Sequence, residues 1–170
     1  GMKTLLVDAD PQGNSTSGLG ADKNSLEKSL YNVLLGHAEI QDVMLKTGIE
    51  NLSLVPSNID LIGAEVELIG EPDREKKLRE ALEKVKSDFE YIIIDCPPSL
   101  GILTLNALVA ATSVLIPVQC EYYALEGLGQ LTKTINLIRD NLNADLKIEG
   151  VLLTMADFRT NLTSEVINET

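Results

Sequence analysis

Residues 91–99 read YIIIDCPPS, a stretch in which three isoleucines lead directly into Asp95 and then into two prolines. A β-branched run without apolar–polar alternation is typical of a strand buried on both faces of a parallel sheet. Runs of the same character occur elsewhere in the chain, at Thr4–Val7, Leu52–Val55, Ser113–Val118 and Ile148–Thr154. With helical patterns between them, these runs predict an α/β fold: a doubly wound, mainly parallel sheet with helices on both faces.

Three helical patterns lie between these strands. Asn24, with Glu27 three residues later, resembles a capping box, and Gly36 marks the end of the pattern that follows. Asp73 is placed to cap a second helix, and an apolar stripe predicts a third from about Ala124 to Leu142. In such folds ligands bind beyond the carboxyl ends of the strands, so the residues that follow each strand are the candidates for function.

Acidic residues stand at two of these strand ends. Asp8 and Asp10 follow the first run at positions i and i+2, so strand alternation places them on the same side, and Pro11 begins a turn. Asp95 ends its run in the manner of a Walker B motif, in which a buried strand holds a carboxylate that accepts hydrogen bonds from water bound to Mg²⁺. Apolar runs that end in Asp are common, and Asp10 could equally cap a turn. Together, the two acid-tipped strands predict a metal–phosphate site.

The loops beyond the strand ends carry further information. Pro97 and Pro98 predict a stiff turn that redirects the loop after Asp95. At 117–123 the sequence PVQCEYY adds polar atoms to the same edge of the sheet. For Tyr122 and Tyr123 the favoured interpretation is packing at the start of the next helix.

Composition excludes several classes of protein. The chain has 170 residues, 44% of them hydrophobic, which is enough for one domain with a core. The two distant cysteines, Cys96 and Cys120, and the single histidine, His37, argue against a zinc site and a disulfide framework and predict a reducing cytoplasm. No apolar run is long enough to predict a membrane span. The net charge of −12 predicts that this chain alone does not bind DNA tightly.

Five long stretches resemble the ParA/Soj/MinD group of deviant-Walker-A ATPases, and they occur in the family's order. They are LLVDADPQGNSTSGLG at 5–20, LSLVPSNIDLIGAEVEL at 52–68, YIIIDCPPSLGILTLNAL at 91–108, VLIPVQCEYYALEGLGQL at 114–131 and GVLLTMADFRTNL at 150–162. DPQGN followed by EYYALEG is similar to the Soj-like partitioning branch. The resemblance implies that residues 1–170 are a single, partial ParA/CbiA-type nucleotide-binding domain.

The resemblance also implies roles for individual residues. Asp10 would be the catalytic switch I acid that orients the attacking water, and Asp95 would be the Walker B carboxylate that holds Mg²⁺ largely through water. The residues it implies at the cofactor are Asp8 (also near the Mg²⁺), Pro11, Pro97, Pro98, and, on the adenine side, Thr154, Met155 and Asp157. At 156 this chain has alanine where the family usually has an aromatic residue.

For the full-length parent, the resemblance implies ATP or ADP and Mg²⁺ as cofactors and an ATP-dependent homodimer that acts as a switch. It also implies a ParB-like partner, non-specific DNA, no membrane, and a cytoplasmic, nucleoid-associated location. The parent would partition a chromosome or a plasmid.

The 170 residues contain no GxxxxGK[ST] segment, and Gly18-Leu19-Gly20 lacks both the lysine and the preceding strand. The expectation is therefore a chain truncated at both ends, without the family's P-loop and without its own bound cofactor or ATP hydrolysis. Two alternatives stay open at this point: an interaction module that keeps the scaffold without a P-loop, and a MinD-like or nitrogenase-reductase-like switch protein.

Overall fold

The computed structural model describes residues 1–119 and 124–155. These divide into two compact units, the first running from Gly1 to Ala110 and the second beginning at Ala111. The interpretation of residues 1–170 as one domain stays a prediction, and each unit is described here by itself.

The first unit is built on a four-stranded sheet in the order β2-β3-β1-β4. Its strands are β1 (Thr4–Asp8), β2 (Leu45–Lys46), β3 (Leu52–Val55) and β4 (Tyr91–Asp95). β1 is parallel to both β3 and β4, and only the two-residue β2 is antiparallel. The α/β fold with a mainly parallel sheet is thus confirmed, although the short β2 was not predicted.

The helices of this unit follow the strands in the expected alternation. They are α1 (Asn14–Gly18), α2 (Leu30–Leu34), α3 (Ile40–Val43), α4 (Leu61–Glu67), α5 (Lys77–Glu83) and α6 (Ile102–Ala110), with 3-10 turns at Leu68–Gly70 and Lys86–Asp88. Leu5 and Val7 of β1 are fully buried in one apolar core with residues of α2 to α6. Burying each such side chain contributes about 1.5–3 kcal/mol, so this face of the sheet holds the helices in place.

The opposite face of the sheet carries the acids. Leu6 pairs with Ile93 and Asp8 pairs with Asp95 across β1 and β4, and strand alternation places all four on the face away from Leu5. The two predicted acid-tipped strands are therefore neighbours, and their carboxyl ends meet.

Two predicted helix starts were wrong. α2 begins at Leu30, after the N-cap Ser29, and the pattern at Asn24 and Glu27 precedes it in turns. The N–H of Ser29 donates to the Oδ1 of Asn32 at 2.9 Å, so Asn32 satisfies a backbone group that would otherwise be unpaired. The predicted stop at Gly36 is confirmed, since it has the positive φ of 72° that favours glycine.

The second wrong start lies before α5. Asp73 has a φ of 50° and accepts a hydrogen bond from the N–H of Lys76 at 2.8 Å, which forms a turn. The helix itself begins only at Lys77. Asn106 of α6 accepts a hydrogen bond from the N–H of Leu78 at 3.1 Å, so the group that satisfies this helix start comes from a distant part of the chain.

The second unit contains two parallel strands, β5 (Ser113–Gln119) and β6 (Lys147–Thr154), joined through α7 (Ala124–Asn141). The predicted stripe of α7 is confirmed at its C-terminal half, where Ile135 and Ile138 are buried. Cys120, Glu121, Tyr122 and Tyr123 lie outside the described residues. No helix among those described combines the length and the apolar character that crossing a bilayer requires.

Candidate functional site

Asp8 ends β1 as a fully buried carboxylate. Its Oδ2 accepts hydrogen bonds from the N–H and the hydroxyl of Thr16, both at 2.7 Å, and its Oδ1 accepts one from the N–H of Asp10 at 3.2 Å. Hydrogen bonds from these donors stabilise the charged form of the buried acid and so offset part of the cost of burying it. Asp8 therefore fixes the loop between β1 and α1.

The same network continues into the loop after β3. The hydroxyl of Thr16 accepts a hydrogen bond from the N–H of Ser57 at 2.9 Å, and the hydroxyl of Ser57 donates to the backbone oxygen of Asp10 at 2.8 Å. Both Thr16 and Ser57 are fully buried. Three residues from three separate segments, Asp8, Thr16 and Ser57, thus hold the Asp10 backbone from two sides.

Asp10 itself is half-buried, and its side chain folds back on its own turn. Its Oδ1 accepts a hydrogen bond from the N–H of Gln12 at 2.8 Å, and Gly13 closes the turn with a φ of 61°. A Cβ at Gly13 would lie 2.9 Å from the backbone oxygen of Ser57, so only glycine fits there. The turn-capping alternative for Asp10 is therefore realised, and the same turn presents its carboxylate at the edge of the sheet.

Asp95 is half-buried and is tied to the first loop. Its Oδ2 accepts a hydrogen bond from the hydroxyl of Ser15 at 2.5 Å, and its backbone oxygen accepts one from the N–H of Ala9 at 2.8 Å. The loop after β1 is thus anchored to β4 through Asp95 and to β1 through Asp8.

Burial and mutual repulsion act on the acids and on the neighbouring thiol. Burial raises the pKa of Asp8, the hydrogen bonds from Thr16 oppose that rise, and the charge of Asp95 adds to it. Burial, helped by the charges of Asp95 and Asp10, raises the pKa of Cys96 to about 12. Cys96 is consequently an uncharged, unreactive group beside the acids.

The loop after β4 contains Pro97 and Pro98 and is secured by α6. The hydroxyl of Thr104 donates to the backbone oxygen of Ser99 at 2.6 Å and lies 3.3 Å from that of Pro97. A Cβ at Gly101 would lie 2.7 Å from the Oε1 of Glu65, so α4 borders the end of this loop. The two prolines therefore lie in a segment with defined neighbours, next to Asp95.

The residues predicted on the adenine side belong to the second unit. Thr154 ends β6 and its hydroxyl donates to the backbone oxygen of Val118 at 3.3 Å. Met155 follows with a φ of 53° and an exposed side chain. Asp157 lies outside the described residues.

The acid edge fits a metal held mainly through water. Among residues 1–119 and 124–155, no group of three or more His, Cys, Asp or Glu side chains is arranged to hold a metal ion directly. Mg²⁺ keeps several of its waters and uses one or two carboxylates, which suits Asp95 with Asp8 behind it. Pro11 follows Asp10 in the turn and has no polar side-chain atom, so it could not bind a metal or a phosphate through its side chain.

Sequence reasoning missed three residues of this site: Ser15, Thr16 and Ser57. The hydroxyl pair Ser15-Thr16, close behind the Gly13 turn, was a usable signal, because hydroxyls can donate to the carboxylates at the end of the preceding strand. Ser57 lies 41 residues from Thr16 along the chain, and nothing in its local sequence indicates that contact.

An α/β sheet whose neighbouring parallel strands end in Asp8 and Asp95, with a glycine-closed turn beside them, fits the class of P-loop NTPase-like domains, which bind ligands at that edge of the sheet. Comparison with known proteins refines that class. The family model of the AAA domain matches residues 1–148. The sporulation initiation inhibitor protein Soj of Bacillus subtilis is 57% identical over 169 residues, which are 99% of this chain and 67% of that protein.

Two further matches also cover nearly the whole chain. The chromosome partitioning protein ParA of Myxococcus xanthus is 56% identical over 98% of this chain and 59% of its own length. A crystal structure from Mycobacterium smegmatis, described as cobyrinic acid a,c-diamide synthase with bound ADP and magnesium, superposes with a TM-score of 0.94 at 46% identity, over 99% of this chain and 68% of that one. The chain belongs to the ParA/Soj family, and it spans about two thirds or less of the length of these relatives.

Proposed function

We propose that the whole protein is a Mg²⁺-dependent ATPase that partitions a chromosome or a plasmid and uses ATP-dependent homodimerisation as its switch. The observation that carries this proposal is the register between β1 and β4, which pairs Asp8 with Asp95 and leaves Asp10 half-exposed two residues beyond. The names of the relatives, Soj and ParA, support the partitioning role.

Each acid has a different part in this proposal. Asp10 orients the attacking water, because its turn fixes the backbone while the carboxylate stays accessible. Asp95 would hold the metal largely through water, and Ser15 holds the carboxylate of Asp95 in place. Asp8 positions the loop between β1 and α1 through its hydrogen bonds to Asp10 and Thr16. It therefore influences the reaction through Asp10 and does not itself touch the reacting atoms. Bound Mg²⁺ would supply neutralisation of the phosphate charge.

The remaining predicted residues are also proposed for the cofactor. Pro11, Pro97 and Pro98 would define the shape of its site, and Thr154, Met155 and Asp157 are proposed for the base. ATP and ADP are the proposed cofactors of the parent, and the ADP and magnesium named for the Mycobacterium smegmatis structure support that choice. The 170 residues alone are proposed not to hydrolyse ATP, because their sequence holds no phosphate-binding GxxxxGK[ST] segment.

A ParB-like protein and non-specific DNA are the proposed partners of the parent, in a cytoplasmic, nucleoid-associated location. The 170 residues have a net charge of −12, which disfavours contact with the DNA phosphates. Any contacts of the parent with DNA are therefore proposed to depend on local clusters of basic residues.

The test is a chimaera in which this chain replaces the matching two thirds of Bacillus subtilis Soj, so that the relative supplies the rest of the protein. We expect Mg²⁺-dependent ATP hydrolysis by the chimaera. Asp10→Ala should lower the turnover number by about 10²–10⁴-fold and leave ATP binding in place, because the residue acts on the water and not on the phosphates.

Two controls make the result decisive. Titration calorimetry of Mg-ATP into the 170-residue chain should show no binding, and saturable binding weakened by Asp10→Ala would mean that this chain has a phosphate site of its own. A chimaera that folds and binds ATP but hydrolyses none would contradict the proposed activity. Undiminished turnover in Asp10→Ala would remove that residue from the mechanism.

A further inference from the structure

Helix α4 has two apolar faces, and only one of them packs into the core that the described residues form. Leu61, Ala64 and Leu68 are buried in the core of the first unit. The other face carries an outer stripe of four exposed side chains: Ile59 (61% exposed), Ile62 (47%), Val66 (67%) and Ile69 (66%). Spacings of three and four residues align Ile62, Val66 and Ile69 along one side of the helix and the 3-10 turn that continues it.

A continuous exposed stripe of this kind needs an explanation beyond folding. Single exposed aliphatic residues are normal, but a row of four along a helix and the turns on either side of it indicates a contact surface. The inner face already anchors α4, so the first unit does not require the outer stripe for its own core.

The charges around the outer stripe are of one sign. Helical spacing places Glu65 on one flank and Glu67 on the other, and Asp60 and Glu71 stand towards its two ends. Residues 59–73 contain no lysine or arginine. The next residue, Arg74, is engaged by its own chain, since its Nη1 donates to the backbone oxygen of Ile69 at 2.7 Å.

This charge pattern favours one kind of binding partner for the outer stripe over another. A second copy of the chain would bring its own four carboxylates against these four, in a protein whose net charge is −12. Like charges across an interface are unfavourable, whereas a partner with lysines beside its apolar residues would satisfy both the stripe and its rim.

We infer that the outer stripe of α4 is a docking surface for a basic, amphipathic segment of a partner protein. The segment places its apolar residues on Ile62, Val66 and Ile69, and its lysines or arginines face Glu65 and Glu67.

The surface also borders the loop that follows β4. Glu65, on the flank of the stripe, has its Oε1 so close to Gly101 that no larger residue fits there without a shift. A segment seated on the stripe therefore lies one side chain away from the loop that contains Pro97 and Pro98.

The test uses the 170-residue chain without nucleotide, so its outcome is independent of whether the parent hydrolyses ATP. The probe is a fluorescent leucine–lysine peptide of about 18 residues with its leucines at helical spacing. Two peptides serve as controls: one with the same composition in scrambled order, and one with glutamate in place of lysine. Binding is followed by fluorescence anisotropy.

The protein variants separate the stripe from general charge attraction. In Ile62→Ser with Val66→Ser, serine has about the helix propensity of the residues it replaces, so α4 should remain folded, which circular dichroism verifies. The matched control is Ile49→Ser, which changes an equally exposed isoleucine in the turn before β3. We expect the amphipathic peptide to bind saturably, with affinity about tenfold or more lower for the double variant and unchanged for Ile49→Ser.

We expect the scrambled peptide to bind about tenfold more weakly than the amphipathic one and the glutamate peptide not to bind. Equal affinity of the double variant and the original chain would overturn the inference, and so would equal binding of the scrambled or the glutamate peptide. Self-association in light scattering that the double variant abolishes would also overturn it, in favour of a second copy as the occupant.

Discussion

Asp8 and Asp10 are two residues apart but differ in burial and in hydrogen bonding. Asp8 is fully buried and accepts hydrogen bonds from Thr16 and from the N–H of Asp10, whereas Asp10 is half-exposed and caps its own turn. The end of the apolar run predicted correctly that both would lie near the end of β1. It could not distinguish the positioning residue from the accessible one, because burial at this point depends on the distant Ser57 loop.

The buried carboxyl of Asp8 predicts a pH dependence of stability. Burial raises its pKa in the folded state above the ordinary value of 3.8. The folded state then keeps the proton to higher pH than the unfolded chain, so the stabilising contribution is complete below pH 3.8 and is lost as pH rises through the folded-state pKa.

Asp8→Asn removes this titration. Between about pH 4 and pH 7 we expect the free energy of unfolding of the original chain to fall relative to that of Asp8→Asn, as measured by urea denaturation at each pH. If the free energy of unfolding of the original chain instead rises relative to that of Asp8→Asn as the pH rises, the hydrogen bonds from Thr16 lower the pKa of Asp8 by more than burial raises it.

At the scale of elements, the turn before α1 depends on Gly13. Gly13→Ala combines a positive φ of 61° with a Cβ only 2.9 Å from the backbone oxygen of Ser57. Gly20→Ala is the matched control, because Gly20 has a φ of 85° but open space around it.

We expect Gly20→Ala to lower the free energy of unfolding by about 1 kcal/mol through backbone strain alone, and Gly13→Ala by about 2–3 kcal/mol. Urea denaturation measures both. Equal losses would mean that the Ser57 loop moves away without cost.

The start of α5 depends on Asn106 of α6. The Nδ2 of Asn106 donates to the backbone oxygens of Arg74 and Ile102 at 2.8 and 3.0 Å, and its Oδ1 accepts from the N–H of Leu78. Asn106→Ala removes three hydrogen bonds and takes away the partner of the buried Leu78 N–H, so we expect a loss of about 2–3 kcal/mol in thermal or urea unfolding.

Asn141→Ala is the matched control for this change. Asn141 also donates to a backbone oxygen, that of Leu137 at 2.8 Å, but it is exposed, so water replaces the lost bond and the expected loss is at most about 0.5 kcal/mol. A loss as large as that of Asn106→Ala would contradict the importance of burial.

Asn106 also explains where prediction from sequence failed among the elements. Strand positions followed from runs of apolar residues, and all five predicted strands are present. The helix starts at Asn24 and Asp73 were misplaced because the groups that satisfy the real starts are Asn32 for α2 and Asn106 for α5, the second contributed by another helix. β2, with two residues, is too short for any periodic signal.

At the scale of the molecule, the charge balance predicts how salt acts. The described ion pairs, such as Lys76 with Asp73 and Lys84 with Glu39, lie on the surface, and each contributes at most about 1 kcal/mol. The chain has 26 acidic and 14 basic residues, so repulsion among the unpaired acids is the larger effect.

We therefore expect the thermal midpoint to rise by a few degrees between about 20 and 300 mM NaCl, as screening weakens that repulsion. Calorimetry or fluorescence follows the midpoint. A fall with added NaCl would show that the surface ion pairs dominate.

The α/β fold could be predicted from strand and helix alternation because that pattern repeats along the whole chain. The acid-tipped strands could be predicted because Asp8 and Asp95 end apolar runs. β1 and β4 are neighbours in the sheet, and Asp8 and Asp95 share a face of it, although more than 80 residues separate these strands along the chain. No local sequence pattern indicates this pairing, so it could not be predicted.

The network around Asp8 also sets how long individual backbone protons persist in heavy water. The amide protons of Thr16 and Ser57 are both buried and bonded, to Asp8 and to Thr16 respectively, although α1 has only five residues and Ser57 lies in a loop. By nuclear magnetic resonance we expect these two amides to exchange as slowly as those of Leu5 and Val7 in the centre of the sheet, and far more slowly than that of the exposed Ser17. Exchange of Thr16 at the rate of Ser17 would mean that α1 opens on its own, whereas slow exchange would make the acid edge part of the last region of the unit to unfold.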